Sequence, residues 1–263
     1  MKRYKSFIFL LLVITSCANE GFLDLETDNE INDYIVECYL EPGELYNLAV
    51  SRIKSLDDDF ILDYVEGYQV KINEHALMYG LYRLPSGYIC NYGSDAIFQP
   101  EAGEEVSMQV ISDEGDTLRA NTSVPSPVSE LNAVYAKYSI DVTLAAASEA
   151  RHNYYLVLLR KVFEDRQEQC LSELYDFSRS ENHKYVNFTL NLKKELAPGY
   201  KIIIKRITQE NYQYQKSLWN ARKANNDNVV YPYPLEGNIQ NGEGIFTCYT
   251  ADSVYIKVPH FNQ

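Results

Sequence analysis

Tyr34-Ile35-Val36-Glu37-Cys38-Tyr39-Leu40 is the stretch on which the fold turns. Val36, Cys38 and Leu40 alternate with Ile35, Glu37 and Tyr39, the period of two that a half-buried strand requires. The same one-sided pattern recurs in Tyr46/Leu48/Val50 against Asn47/Ala49/Ser51, in Tyr68/Val70/Ile72 and in Val106/Met108/Val110. Turn chemistry separates these runs: Glu41-Pro42-Gly43-Glu44, Pro85-Ser86-Gly87, Glu101-Ala102-Gly103 and Asp113-Glu114-Gly115-Asp116. Short antiparallel strands spaced in this way predict a small immunoglobulin-like β-sandwich over residues 34–125.

Val124-Pro125-Ser126-Pro127-Val128 stops the alternation, because two prolines deny ladder donors and favour an extended connector. A second β-rich domain is expected over 129–258. Val134/Ala136/Tyr138/Ile140/Val142/Leu144 form one face there and Ala133/Tyr135/Lys137/Ser139/Asp141/Thr143 the other. Asn153 to Phe163 is apolar on both faces, as a central strand is. Val186/Phe188/Leu190/Leu192 set against Tyr185/Asn187/Thr189/Asn191, and then Tyr200 to Ile207, predict two more strands. One segment changes period: Ile207, Tyr214, Leu218 and Ala221 recur at helical spacing after Thr208, a capping residue. An amphipathic helix over about 209–225 is therefore expected. Its Tyr212 and Trp219 fit either a contact surface or a seal between helix and sheet. The expected class is mainly β, with two β-sandwich-like domains and this one helix late in the second.

The chain has 263 residues, 24 Lys+Arg and 37 Asp+Glu, a formal charge of −13. With no basic cluster in the sequence, nucleic acid is not an expected partner. Tyrosine stands out at 23 residues against 10 Phe and one Trp. Most of these tyrosines lie in alternating runs, where an apolar ring with a wet tip suits a sheet.

The first residues read as an address. Lys2, Arg3 and Lys5 precede the apolar run Phe7 to Ile14, too short to span a bilayer and the right size for a secretory core. The run ends in Ile14-Thr15-Ser16-Cys17, which resembles a bacterial lipobox, so residues 1–16 read as a lipoprotein signal peptide and Cys17 as the lipidated residue. Cleavage removes three basic residues and no acid, leaving 21 against 37 and a mature charge of −16. Glu20, Asp24, Glu26, Asp28, Glu30 and Asp33 crowd residues 17–33, an acidic tether.

The sequence carries no enzyme signature motif. There is no G-x-S-x-G elbow, no H-E-x-x-H and no phosphate loop, and Gly242-Glu243-Gly244 lacks the third glycine of a dinucleotide site. His75, His152, His183 and His260 lie far apart without zinc-like spacing. Asp57-Asp58-Asp59 with Asp63 reads as a calcium cluster or as a solvated hairpin tip, and it lacks the spacing of an EF-hand. No catalytic, cofactor or metal residue is expected. Cys38, Cys90, Cys170 and Cys248 remain in the mature chain; Cys38–Cys90 is the pairing favoured if a disulfide forms, with buried free thiols the alternative.

Several strings together resemble a Bacteroidetes lipoprotein family described as domain of unknown function 4249. They are Tyr34 to Leu40, Gly103 to Pro127, Asn153-Tyr154-Tyr155-Leu156-Val157, and Pro232-x-Pro234-Leu235-Glu236-Gly237-Asn238-Ile239-x-Asn241-Gly242-Glu243-Gly244-Ile245-Phe246. Cys38 stands where that family often has glycine. The resemblance implies a cell-envelope lipoprotein often encoded beside a TonB-dependent outer-membrane receptor, and it brings no catalytic residue. Asn238, Asn241, Gly242 and Gly244 read as a turn or as a contact loop. The acidic tether resembles a surface-export signal of such lipoproteins, with Ala18-Asn19 intervening. Asp116-Thr117-Leu118 and Asp252-Ser253-Val254 resemble the three-residue O-glycosylation acceptor of the same bacteria, with Thr117 at a strand start and Ser253 in a late loop.

The expected function is that of a non-enzymatic accessory or binding lipoprotein, anchored by lipid to the outer membrane and serving TonB-dependent nutrient uptake. The alternatives are a structural fimbrial or adhesin-like surface lipoprotein and, less favoured, a surface hydrolase.

Overall fold

The alternation of residues 34–40 becomes a strand with Val36, Cys38 and Leu40 wholly buried. The computed structural model describes residues 34–53, 62–84, 88–149, 152–179, 184–192, 197–226 and 234–259. The first strands are β1 (Tyr34–Leu40), β2 (Leu45–Ile53), β3 (Leu62–Tyr64), β4 (Gln69–Ile72), β5 (His75–Arg83) and β6 (Ile89–Ile97). They continue with β7 (Glu105–Ile111), β8 (Thr117–Ser123), β9 (Asn132–Ala136), β10 (Ser139–Ala145), β11 (Tyr154–Val162), β12 (Gln167–Asp176), β13 (Tyr185–Asn191) and β14 (Gly199–Ile207). The helix α1 (Gln209–Asn226) and the long strand β15 (Glu243–Lys257) complete the series. The signal peptide, the tether with Cys17, Asp57 to Asp59, Pro85-Ser86-Gly87, His183, Pro232 and His260 lie outside the described residues.

The protein is mainly β with one described helix. Hydrogen bonding joins twelve strands in the order β12-β11-β14-β15-β1-β2-β6-β5-β4-β7-β8, with β3 beside β2, and sets β13-β10-β9 apart as a second sheet. The sequence reading separates two sandwiches, whereas one large mixed sheet runs through both halves. β15 is the reason. Its first part pairs in parallel with β1, Ile35 opposite Glu243 through Leu40 opposite Cys248. Its second part pairs antiparallel with β14, Ile207 opposite Tyr249 through Gly199 opposite Lys257. A parallel partner must arrive by a long connection. Nearly the whole chain serves as that connection here, which no local pattern announces.

Two buried clusters follow the chain. The first takes Val36, Cys38, Leu40, Leu48, Val50, Val70, Ile72, Val106, Met108, Val110 and Leu118, joined by Phe246 and Cys248 from β15. The second takes Ile140, Val142, Leu144, Tyr155, Val157, Leu159, Leu190, Tyr200, Ile202 and Ile204. The three-stranded sheet and the β11-β14 end of the large sheet thus share one core. Pro125 and Pro127 lie between Val124, which belongs to the first cluster, and Val128, which belongs to the second. All described residues belong to one compact unit.

The expected face of residues 133–138 is corrected. A two-residue turn at Lys137 and Tyr138, with Lys137 at φ 46°, folds β9 back on β10, so that Tyr135 faces Ile140 and Ala133 faces Val142. Crossing such a turn shifts the phase by one residue. Ala133 and Tyr135 therefore pack on the core, and Val134 is 56% exposed. The turn carries neither Gly nor Asn, so it leaves no mark in the sequence.

The expected helix is found. Thr208 caps it: the Asn211 amide donates to Thr208 Oγ1 at 3.3 Å and the Tyr212 amide to the Thr208 carbonyl at 3.0 Å. Tyr214 is buried, Leu218 half-buried, and the Thr208 and Thr247 hydroxyls meet at 3.0 Å, fastening the start of α1 to β15.

Candidate functional site

The asparagine- and glycine-rich loop lies against the outer edge of β8. Asn238 acts as a short piece of strand: its Oδ1 accepts the Phe246 amide at 2.9 Å, and its Nδ2 donates to the Phe246 carbonyl at 2.8 Å and to the Asn121 carbonyl at 3.2 Å. Asn241, at φ 61°, donates from Nδ2 to the Thr117 carbonyl at 3.0 Å. Between them Gln240 and Arg119 form an antiparallel bridge. β8 ends the large sheet, and an open edge invites unwanted pairing; this loop covers it.

Three glycines make the fit possible. Gly244 has φ 109°, and a Cβ there would stand 2.0 Å from the Val36 carbonyl oxygen. A Cβ on Gly237 would stand 2.0 Å from the Gly244 oxygen. A Cβ on Gly242 would stand 2.9 Å from Leu118 Cδ2. The hydrogen-bonding groups of Asn238 and Asn241 therefore serve the chain's own backbone, the geometry of a structural turn.

On α1 the two singled-out aromatics diverge. Tyr212 is half-buried, its ring 5.1 Å from that of Tyr154, whereas Trp219 is 39% exposed. Beneath the helix, the Tyr214 hydroxyl donates to Glu37 Oε1 at 3.5 Å, and Tyr88 donates to the Glu37 carbonyl at 3.0 Å. Burial raises the Glu37 carboxyl above its ordinary range, and the hydrogen bonds from Tyr214 and Tyr88 oppose that rise. Ser217 Oγ bonds the Tyr214 carbonyl at 2.7 Å and accepts the Glu236 amide at 3.0 Å, joining the helix to the loop.

A cavity of about 360 Å³ opens at the start of α1, lined by Gly103, Glu105, Ser123, Pro125, Glu149 and His152 with residues 207–210. His152 Nε2 lies 3.9 Å from Glu149 Oε2, and Glu210 Oε1 accepts the Thr122 hydroxyl at 2.7 Å. The lining offers carboxylate acceptors and an imidazole. Among the described residues no group of three or more His, Cys, Asp or Glu is arranged to hold a metal. His75 is exposed and far along the chain, its ring 4.6 Å from Tyr46.

The favoured Cys38–Cys90 pairing is not formed; both are buried free thiols, as is Cys248. Cys38 Sγ donates to the Asn47 carbonyl at 3.0 Å, and half-buried Cys170 Sγ to the Leu159 carbonyl at 3.4 Å. Burial raises all three buried thiols, Cys90 to about 11, which keeps them protonated and unreactive at neutral pH. Thr117 opens β8, half-buried. Ser253 is exposed but stands within β15 opposite Ile203, not in a loop, because the strand extends to Lys257.

Sequence reasoning missed Arg206. The residue is 2% exposed and its guanidinium donates to neutral groups: Nη1 to the Ser126 carbonyl at 3.1 Å, Ser126 Oγ at 2.7 Å and the Pro127 carbonyl at 2.8 Å. Nη2 donates to the Ala145 carbonyl at 2.6 Å and to the Tyr155 hydroxyl at 3.1 Å. A signal was present, since Arg206 falls in the buried phase of Tyr200, Ile202 and Ile204. Its partners, three segments distant in sequence, were not visible. The residue ties the Pro-Ser-Pro connector to the second core.

No curated protein matches the chain. A family model described as Domain of unknown function (DUF4249) matches residues 22–254, almost the entire described chain, and the protein belongs to that family.

Proposed function

We propose that this is a non-enzymatic accessory lipoprotein of the Bacteroidetes outer membrane, held by lipid on Cys17 and serving as a binding module beside a TonB-dependent transporter. The observation that carries the reading is Ile14-Thr15-Ser16-Cys17 after an eight-residue apolar run, followed by acidic residues up to the first strand. Those acids repel one another and keep the segment between anchor and folded part extended and solvated. The first core is read as an immunoglobulin-like sandwich, because inward residues of β1 and β15 share a cluster with those of β4, β7 and β8. Of the two glycosylation strings, Ser253 is the accessible acceptor.

A second reading, a structural fimbrial or adhesin-like subunit, draws on the exposed apolar residues of β5, where Met78 is 73% and Leu81 78% exposed. Against it stands β1, paired on both sides by β2 and β15, which a strand-exchanging subunit would have to give up. Purification of the native lipoprotein from solubilised outer membranes tests both. Recovery of a transporter supports the first, a ladder of self-polymers the second, and the absence of both products refutes both readings.

A further inference from the structure

We propose that the outer face of α1 is a membrane-contact stripe for anionic lipid headgroups. Tyr212, Lys216, Trp219 and Lys223 succeed one another at spacings of four, three and four, one line along the helix. That line lies opposite buried Asn211, Tyr214 and Ser217. Lys216, Arg222 and Lys223 are exposed, Trp219 is 39% exposed, and Lys216 Nζ stands 5.9 Å from the Tyr212 ring centroid. No acid occurs from Asn211 to Asn226, in a chain whose formal charge is −13. Among the described residues none of the three cations takes part in an ion pair.

Attraction to the helix C-terminus accounts for Lys223. It does not account for Lys216, two turns earlier, nor for an indole set outward between cations. Trp with Lys and Arg on one helix face is the composition that settles at headgroup level. The charge complements an anionic bilayer, and no described helix is long and apolar enough to cross one, so α1 lies along the surface. The location rests on the reading that Cys17 carries lipid. A lipid anchor with a basic patch holds a protein more firmly than a short lipid alone, and it also fixes orientation.

Trp219 is the sole tryptophan, so its fluorescence reports on this face alone. The full chain carrying Cys17→Ala is titrated with vesicles of phosphatidylcholine alone and of phosphatidylcholine mixed with phosphatidylglycerol. The mixed vesicles are expected to shift the emission to the blue, with quenching by brominated lipid and reversal by salt; neutral vesicles are not. Lys216→Gln, Arg222→Gln and Lys223→Gln together are expected to weaken partitioning about a hundredfold, with the far-ultraviolet dichroism unchanged. No shift with mixed vesicles, or equal partitioning of the triple variant, overturns the proposal. A shift with inorganic phosphate alone overturns the lipid assignment. The anchor reading fails separately, if metabolic labelling with a lipid precursor persists in cells carrying Cys17→Ala.

Discussion

Arg206 and Tyr155 face each other inside the second core: the guanidinium donates to the phenol oxygen at 3.1 Å, with its carbon 5.4 Å from the ring centroid. Tyr155 in turn donates to Asn153 Oδ1 at 2.8 Å, and that oxygen also accepts the Ala147 amide. Arginine, phenol and asparagine form one chain that holds the ends of β10 and β11 against the connector. Arg206→Met removes the donor to the Pro127 and Ala145 carbonyls, while the Ser126 carbonyl keeps the Thr250 hydroxyl at 2.9 Å, and a loss of about 3 kcal/mol or more is expected in urea unfolding. Tyr155→Phe removes one hydrogen bond and is expected to cost about 1 kcal/mol. Equal effects of the two variants would contradict the keystone role of Arg206.

Gly244 tests the seam between β1 and β15. Gly244→Ala places a methyl group 2.0 Å from the Val36 oxygen at φ 109°, so the strands must part. A loss of at least about 3 kcal/mol is expected. Gly43→Ala, at φ 93° with open space around it, is the control and is expected to cost about 1 kcal/mol. Thermal unfolding of the two variants separates clash from backbone strain.

Asn238 requires an amide. Asn238→Asp keeps the acceptor for the Phe246 amide but loses both donors and sets a carboxylate against two carbonyls. The aspartate variant is expected to be at least as unstable as Asn238→Ala, each losing about 2 kcal/mol. Hydrogen exchange at β8 reads the same event, since a released loop exposes that edge.

Glu37 predicts a pH dependence of defined sign. Its folded carboxyl is raised above the ordinary value of 4.5, so the folded state holds this proton more tightly than the unfolded chain does. Its contribution therefore favours folding at low pH and declines as pH rises from about 4.5 through the folded value. Glu37→Gln keeps an acceptor for Tyr214 and is expected to raise stability at pH 7 relative to pH 4. Unfolding midpoints at both values for the two proteins test it; an unchanged difference would refute the assignment.

Cys17→Ala tests the address. In high salt, which releases the α1 contact, the variant is expected to leave the membrane fraction for the soluble one, and metabolic labelling with a lipid precursor is expected to disappear. A variant that stays labelled refutes the lipobox.

Local pattern determined much of this protein. The buried residues of β1, β10 and β13 follow from alternation, and α1 with its Thr208 cap follows from the change of period. The proposed lipidation signal likewise rests on a few consecutive residues. Only the tertiary structure decided that β15 pairs first with β1 and then with β14, that a two-residue turn reverses the faces of β9, and that Arg206 binds the connector. Hydrophobic period reports which side of an element is dry, a property of neighbours along the chain. Strand partners, and carbonyls that await a buried cation, lie far away in sequence, and their choice is made when the whole core closes.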